Sequence, residues 1–145
     1  MLLSATQALV PGEFATLVLA ADGADGVETR LVADQKRAIA TGARLQVIHG
    51  SPQAGVLDVY LLDVDQDPAT TQPRYQLPTL FIEVDTMIAA RDYDVLVAFS
   101  GTLEAVAPRA TLAMPEDSIH TVLVGDPATQ GGDFVLLVQD DTPTQ

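Results

Sequence analysis

The sequence predicts an all-β protein built as an antiparallel sandwich, and three observations carry that prediction. Apolar and polar residues alternate at period 2 through most of the chain, the spacing that gives a strand one inward and one outward face. Clusters of Gly, Pro, Asp and Ser interrupt the alternation roughly every 8–12 residues. The end of the chain also repeats its beginning. With Pro11 set over Pro115, Leu17-Val18-Leu19-Ala20-Ala21-Asp22 lies over Thr121-Val122-Leu123-Val124-Gly125-Asp126. After a two-residue slip, Leu31-Val32-Ala33-Asp34 meets Leu137-Val138-Gln139-Asp140.

Strands over 3–9, 15–21 and 28–33 would be the closing three strands of a preceding unit, which makes residues 1–37 a partial repeat. Its hairpin loop Asp22-Gly23-Ala24-Asp25-Gly26 corresponds to Asp126–Gly132 near the end of the chain. Residues 38–42 form a linker, 43–141 a complete sandwich unit, and 142–145 an exit linker. Within the complete unit, strands are expected over 43–49, 56–62, 78–84, 93–99, 106–113, 118–125 and 133–139. The Gly50–Gly55 turn, with Ser51-Pro52 inside it, divides the first two. Leu45, Val47 and His49 share one face of the first strand, and Leu57, Val59 and Leu61 share one face of the second. The opposite faces (Arg44, Gln46, Ile48 and Asp58, Tyr60, Leu62) are expected to meet water. Asp85–Arg91 reads equally as one helical turn or as strand and bend. Thr121–Val124 and Val135–Val138 are apolar on both faces, as in strands that sit centrally or carry a second contact.

Composition narrows the function classes. The formal net charge is −13 and Lys36 is the only lysine, so nucleic acid and anionic lipid surfaces are disfavoured partners. Cysteine is absent, which removes disulfides, thiolate metal sites and a cysteine nucleophile. No apolar run approaches the roughly 20 residues of a membrane span, and no signal peptide is evident.

From Ala43 on, the chain resembles the bacterial family called domain of unknown function 4397. The resemblance lies in Arg44-Leu45-Gln46-Val47-Ile48-His49-Gly50-Ser51-Pro52 followed by Val56-Leu57-Asp58-Val59-Tyr60-Leu61. It continues in His120-Thr121-Val122-Leu123-Val124-Gly125-Asp126 and in the closing Phe134–Asp141. The sequence departs from the family pattern at Asp92-Tyr93, at Asp117-Ser118-Ile119 and at His120. The resemblance implies an Ig-like antiparallel β-sandwich, here with an N-terminal partial repeat of three strands. It also implies an exported, periplasmic or cell-surface setting, often in tandem with other domains, and it supplies no reaction.

Several groups of residues offer candidate chemistry. His49 and Ser51 resemble a hydrolase base and nucleophile, with Asp58 as the group orienting the imidazole. No Gly-x-Ser-x-Gly elbow accompanies them, and the plainer reading has His49 closing its strand by hydrogen-bonding the Gly50–Gly55 loop, with its other nitrogen on a carboxylate or carbonyl. Asp63, Asp65 and Asp67 alternate as in a calcium loop, but Pro68 and Arg74 stand where an EF-hand needs Gly and Glu. A looser Ca²⁺ site would make the chain a calcium-dependent adhesion module. Zinc would need both His49 and His120, which lie on different strands. The favoured expectation is therefore no catalysis and no cofactor, in a spacer, scaffold or binding domain of a larger surface protein. His49, Ser51, Asp58 and Tyr60 are its candidate binding residues. The apolar face of residues 1–37 needs a cover, supplied either by the chain's own sandwich or by strand exchange in a homodimer, and the homodimer is the favoured expectation.

Overall fold

The computed structural model describes residues 6, 8–21, 26–34, 40–129 and 132–143. Its strands are β1 (Phe14–Ala21), β2 (Val27–Asp34), β3 (Ala43–Gly50), β4 (Leu57–Leu62), β5 (Tyr75–Leu77), β6 (Glu83–Ile88), β7 (Arg91–Phe99), β8 (Ala110–Met114), β9 (Ile119–Gly125) and β10 (Val135–Asp140). A 3₁₀ turn at Pro68–Thr70 is the one helical element among the described residues. The molecule is the expected all-β sandwich. Sheet β10-β9-β3-β6 packs on sheet β5-β4-β7-β8, while β1 and β2 form a separate antiparallel hairpin.

Alternation sets the core. Leu45 and Val47 of β3 and Val122 and Val124 of β9 face Leu57 and Val59 of β4 and Val95 and Val97 of β7, all in one buried cluster. Each fully buried Val or Leu contributes about 1.5–3 kcal/mol, so aliphatic packing supports the fold without tryptophan. One pairing departs from the antiparallel expectation: β3 and β9 run parallel, with Val47 beside Val122 and Gly50 beside Gly125. The two strands are separated in sequence by the whole of the second sheet, so no tight hairpin dictates their relative direction.

The outward faces are not wet as expected. The hairpin lies over the outer face of β3 and β9, where Val18, Ala20 and Val32 bury Ile48 and Leu123 with help from Leu80 and Phe81. The Gln46 side chain, on that same face of β3, donates to the Ala33 carbonyl at 3.3 Å. Two strands alone are marginal in water, so this packing holds the hairpin in place. The apolar outer face of β9 thus has its second contact, from within the same chain. The other side of the hairpin remains open, with Leu17 48% and Leu19 55% exposed. On the second sheet Tyr60, Leu62, Leu96 and Ala98 form their own buried outer cluster.

Of the three strands expected before residue 37, two form as β1 and β2. Residues 6 and 8–10 are not strand, and the rest of the stretch 3–9 lies outside the described residues. The two aligned hairpins differ in register by two residues: Leu17 pairs with Leu31, whereas its counterpart Thr121 pairs with Gln139. An even slip keeps side chains on the same face. Of the strand expected over 78–84 only residues 83 and 84 are strand, at the start of β6; residues 78–82 form the turn between β5 and β6, and the ambiguous Asp85–Arg91 is strand and bend.

Close approach of β3 to β9 explains Gly50. A Cβ there would lie 2.9 Å from the Val124 carbonyl oxygen and 3.4 Å from the Leu123 side chain. Backbone cannot yield as a side-chain tip can. Gly50→Ala is expected to destabilise by about 1–3 kcal/mol in urea denaturation, with the m-value unchanged.

Candidate functional site

His49 and Ser51 stand at the ends of the parallel strands. Pairing of Gly50 with Gly125 sets Ser51 beside Asp126. Both His49 and Ser51 are fully buried. The imidazole Nε2 lies 2.6 Å from the Gly55 carbonyl, which only accepts, so Nε2 carries the proton. Nδ1 then accepts from the Ser51 backbone N–H at 3.3 Å. The Ser51 hydroxyl donates to Asp126 Oδ1 and accepts the Ala54 N–H at 3.1 Å. Both ring nitrogens and the hydroxyl are therefore engaged in closing the Gly50–Gly55 loop, and no hydrogen bond joins imidazole to hydroxyl. His49 closes the Gly50–Gly55 loop as expected, but its second nitrogen meets the Ser51 N–H rather than a carboxylate or carbonyl, because the loop folds that donor back onto the ring.

Asp58 does not orient His49. It projects from the outer face of β4 with Tyr60, while His49 shares the core face of β3 with Leu45 and Val47. Asp58 Oδ1 accepts from Gln76 Nε2 and Ser100 Oγ, each at 3.1 Å, and Oδ2 accepts from Gly101 N at 2.9 Å. Gly101 is suited to this role. It has φ 75° in the turn that Thr102 N closes on the Phe99 carbonyl, a conformation glycine adopts without strain.

Asp58 and Tyr60 form the floor of an outer cleft of about 430 Å³. One wall is the stretch after β4, with Pro68, Ala69, Thr71, Gln72 and Pro73; the other is the turn Gly101-Thr102-Leu103. Asp58 is 4% and Tyr60 5% exposed. Among the described residues the Tyr60 hydroxyl has no hydrogen-bond partner. It is not sealed from solvent either, so it is presented to the cleft. Two of the four candidate binding residues thus meet in one concavity, and the other two sit elsewhere in a closed loop. Period-2 alternation put Asp58 and Tyr60 on one face, but nothing local showed that later segments would wall it.

The three loop aspartates diverge. Asp63 pairs with Arg91 at 2.7 Å, and Asp67 Oδ1 caps the 3₁₀ turn by accepting Ala69 N at 2.9 Å. Asp65 has φ 65° and gives its N–H to Asp94 Oδ2 at 3.1 Å. Among the described residues no three His, Asp or Glu side chains converge as metal ligands. His49 and His120 are likewise separated, paired beside Val124 and Leu45 respectively.

Asp94, which sequence reasoning passed over, anchors this loop. It accepts from Thr111 Oγ1 at 2.6 Å, from Asp65 N, and from Arg109 Nη1 at 3.3 Å, while Arg109 also reaches the Gln66 carbonyl at 3.2 Å. The Thr111 hydroxyl first, then the Asp65 N–H and Arg109, hold its carboxyl below the usual carboxylate range against the opposing effect of burial. A group whose pKa is depressed by folding stabilises above its unfolded value of about 3.9, and the contribution is lost as pH falls through the folded value. Urea stability is therefore expected to decline below pH ~4, and Asp94→Asn is expected to flatten that acid limb while lowering stability at pH 7.

The chain matches no protein-family model and no curated protein sequence.

Proposed function

We propose that the protein is a non-catalytic β-sandwich module of a bacterial exported or cell-surface protein, and that it works by binding at the Asp58–Tyr60 cleft. The observation that carries this reading is the difference between its two polar clusters. His49 and Ser51 are consumed in holding a loop, whereas the Tyr60 hydroxyl opens onto the cleft with no partner among the described residues. Binding sites characteristically combine a concavity of roughly 300–1,000 Å³ with a few fixed polar groups. The resemblance of residues 43–141 to domain of unknown function 4397 supports the setting and an Ig-like strand arrangement. The open face of the hairpin at Leu17 and Leu19 supports contact of residues 1–37 with a second copy of the chain.

Incubation with a panel of chromogenic esters and glycosides tests the non-catalytic part. No turnover above background is expected. Turnover that disappears in a folded Ser51→Ala variant would overturn it.

A further inference from the structure

We propose that the cleft over Asp58 and Tyr60 takes a primary ammonium group carried on a short aliphatic stem; this rests on the binding role proposed above. The three partners of Asp58 are an amide, a hydroxyl and a backbone N–H, all neutral. Among the described residues no cation pairs with this buried carboxylate. Such a group retains much of its desolvation cost, and an incoming cation offsets it. None of the residues lining the cleft is basic, and the chain carries a formal charge of −13, so the local potential favours a cation.

The acceptor inventory selects the kind of cation. Oδ1 of Asp58 already accepts twice and Oδ2 once, which leaves one acceptor position, on Oδ2. The Tyr60 hydroxyl offers a second. A guanidinium binds best as a fork across both carboxylate oxygens, and here Oδ1 is filled. An ammonium is a compact point donor and needs no fork. Pro68, Pro73 and Leu103 supply apolar wall for the stem.

The test is a set of ¹H–¹⁵N titrations of the full chain with n-butylamine, n-butanol, n-butylguanidinium and Nα-acetyl-lysine methylamide at pH 7. Butylamine is expected to shift the Tyr60, Gly101 and Thr102 amides saturably, with butanol at least about tenfold weaker and butylguanidinium weaker than the amine. Tyr60→Phe, which keeps the ring, is expected to weaken butylamine about tenfold. Tighter binding of the lysine derivative would assign the ammonium to a protein side chain, and equal binding to a free amine. Butanol or butylguanidinium binding as tightly as butylamine, or unchanged affinity in Tyr60→Phe, would overturn the ammonium assignment and leave the cleft a binding site. If none of the four probes moves those amides, the binding role falls with it.

Discussion

His49→Ala is expected to destabilise the fold by about 3–5 kcal/mol, the largest effect of any single substitution considered. Two costs combine. The ring is fully buried, so truncation leaves a cavity on the core face of β3 that the surrounding strands fill only in part. The Gly55 carbonyl and the Ser51 N–H then lose their partners, and each buried orphan costs about 1–3 kcal/mol. Chemical denaturation checks the number. A catalytic base would behave differently, because its removal abolishes turnover and leaves stability nearly unchanged or improved.

Asp58→Ala is expected to cost about 2–4 kcal/mol, since hydrogen bonds to a charged group contribute about 1.5–3 kcal/mol and three donors lose their acceptor. Ser100 and Gln76 are also bonded to each other at 2.9 Å, so they retain one contact, whereas the Gly101 N–H retains none among the described residues. The damage should therefore concentrate in the Ser100–Thr102 turn. Amide exchange there is expected to accelerate before that of β3 or β9 does. Uniform acceleration across both sheets would show instead that Asp58 supports the sandwich as a whole.

These two residues mark how far the sequence could be read. Strands β1, β2, β3, β4, β7, β9 and β10 were legible within a few residues because alternation and turn chemistry are local signals. The core faces followed directly: Leu45, Val47, Leu57 and Val59 are inward. The outward faces escape this signal because what covers them comes from segments outside the strands themselves. Ile48 is buried by Val18 and Val32 of the hairpin, and Tyr60 lies beneath residues 68–73 and 101–103. The Ser51–Asp126 clasp needs the parallel register of β3 and β9, which no short-range pattern encodes. Asp94 was invisible for a related reason. Its partners Asp65, Arg109 and Thr111 come from a loop and a neighbouring strand, and an aspartate within an apolar strand carries no mark of which donors will reach it.

The groups most like a hydrolase are bonded as structural clasps, and we propose that interaction chemistry belongs to the cleft on the opposite sheet. The most direct test is the imidazole ¹⁵N spectrum of His49 in the intact chain at neutral pH. A single neutral tautomer protonated at Nε2 is expected, with that proton slow to exchange because it is held by the Gly55 carbonyl. An unprotonated Nε2 in rapid exchange with solvent would contradict it, since that nitrogen would then be free to serve as a base.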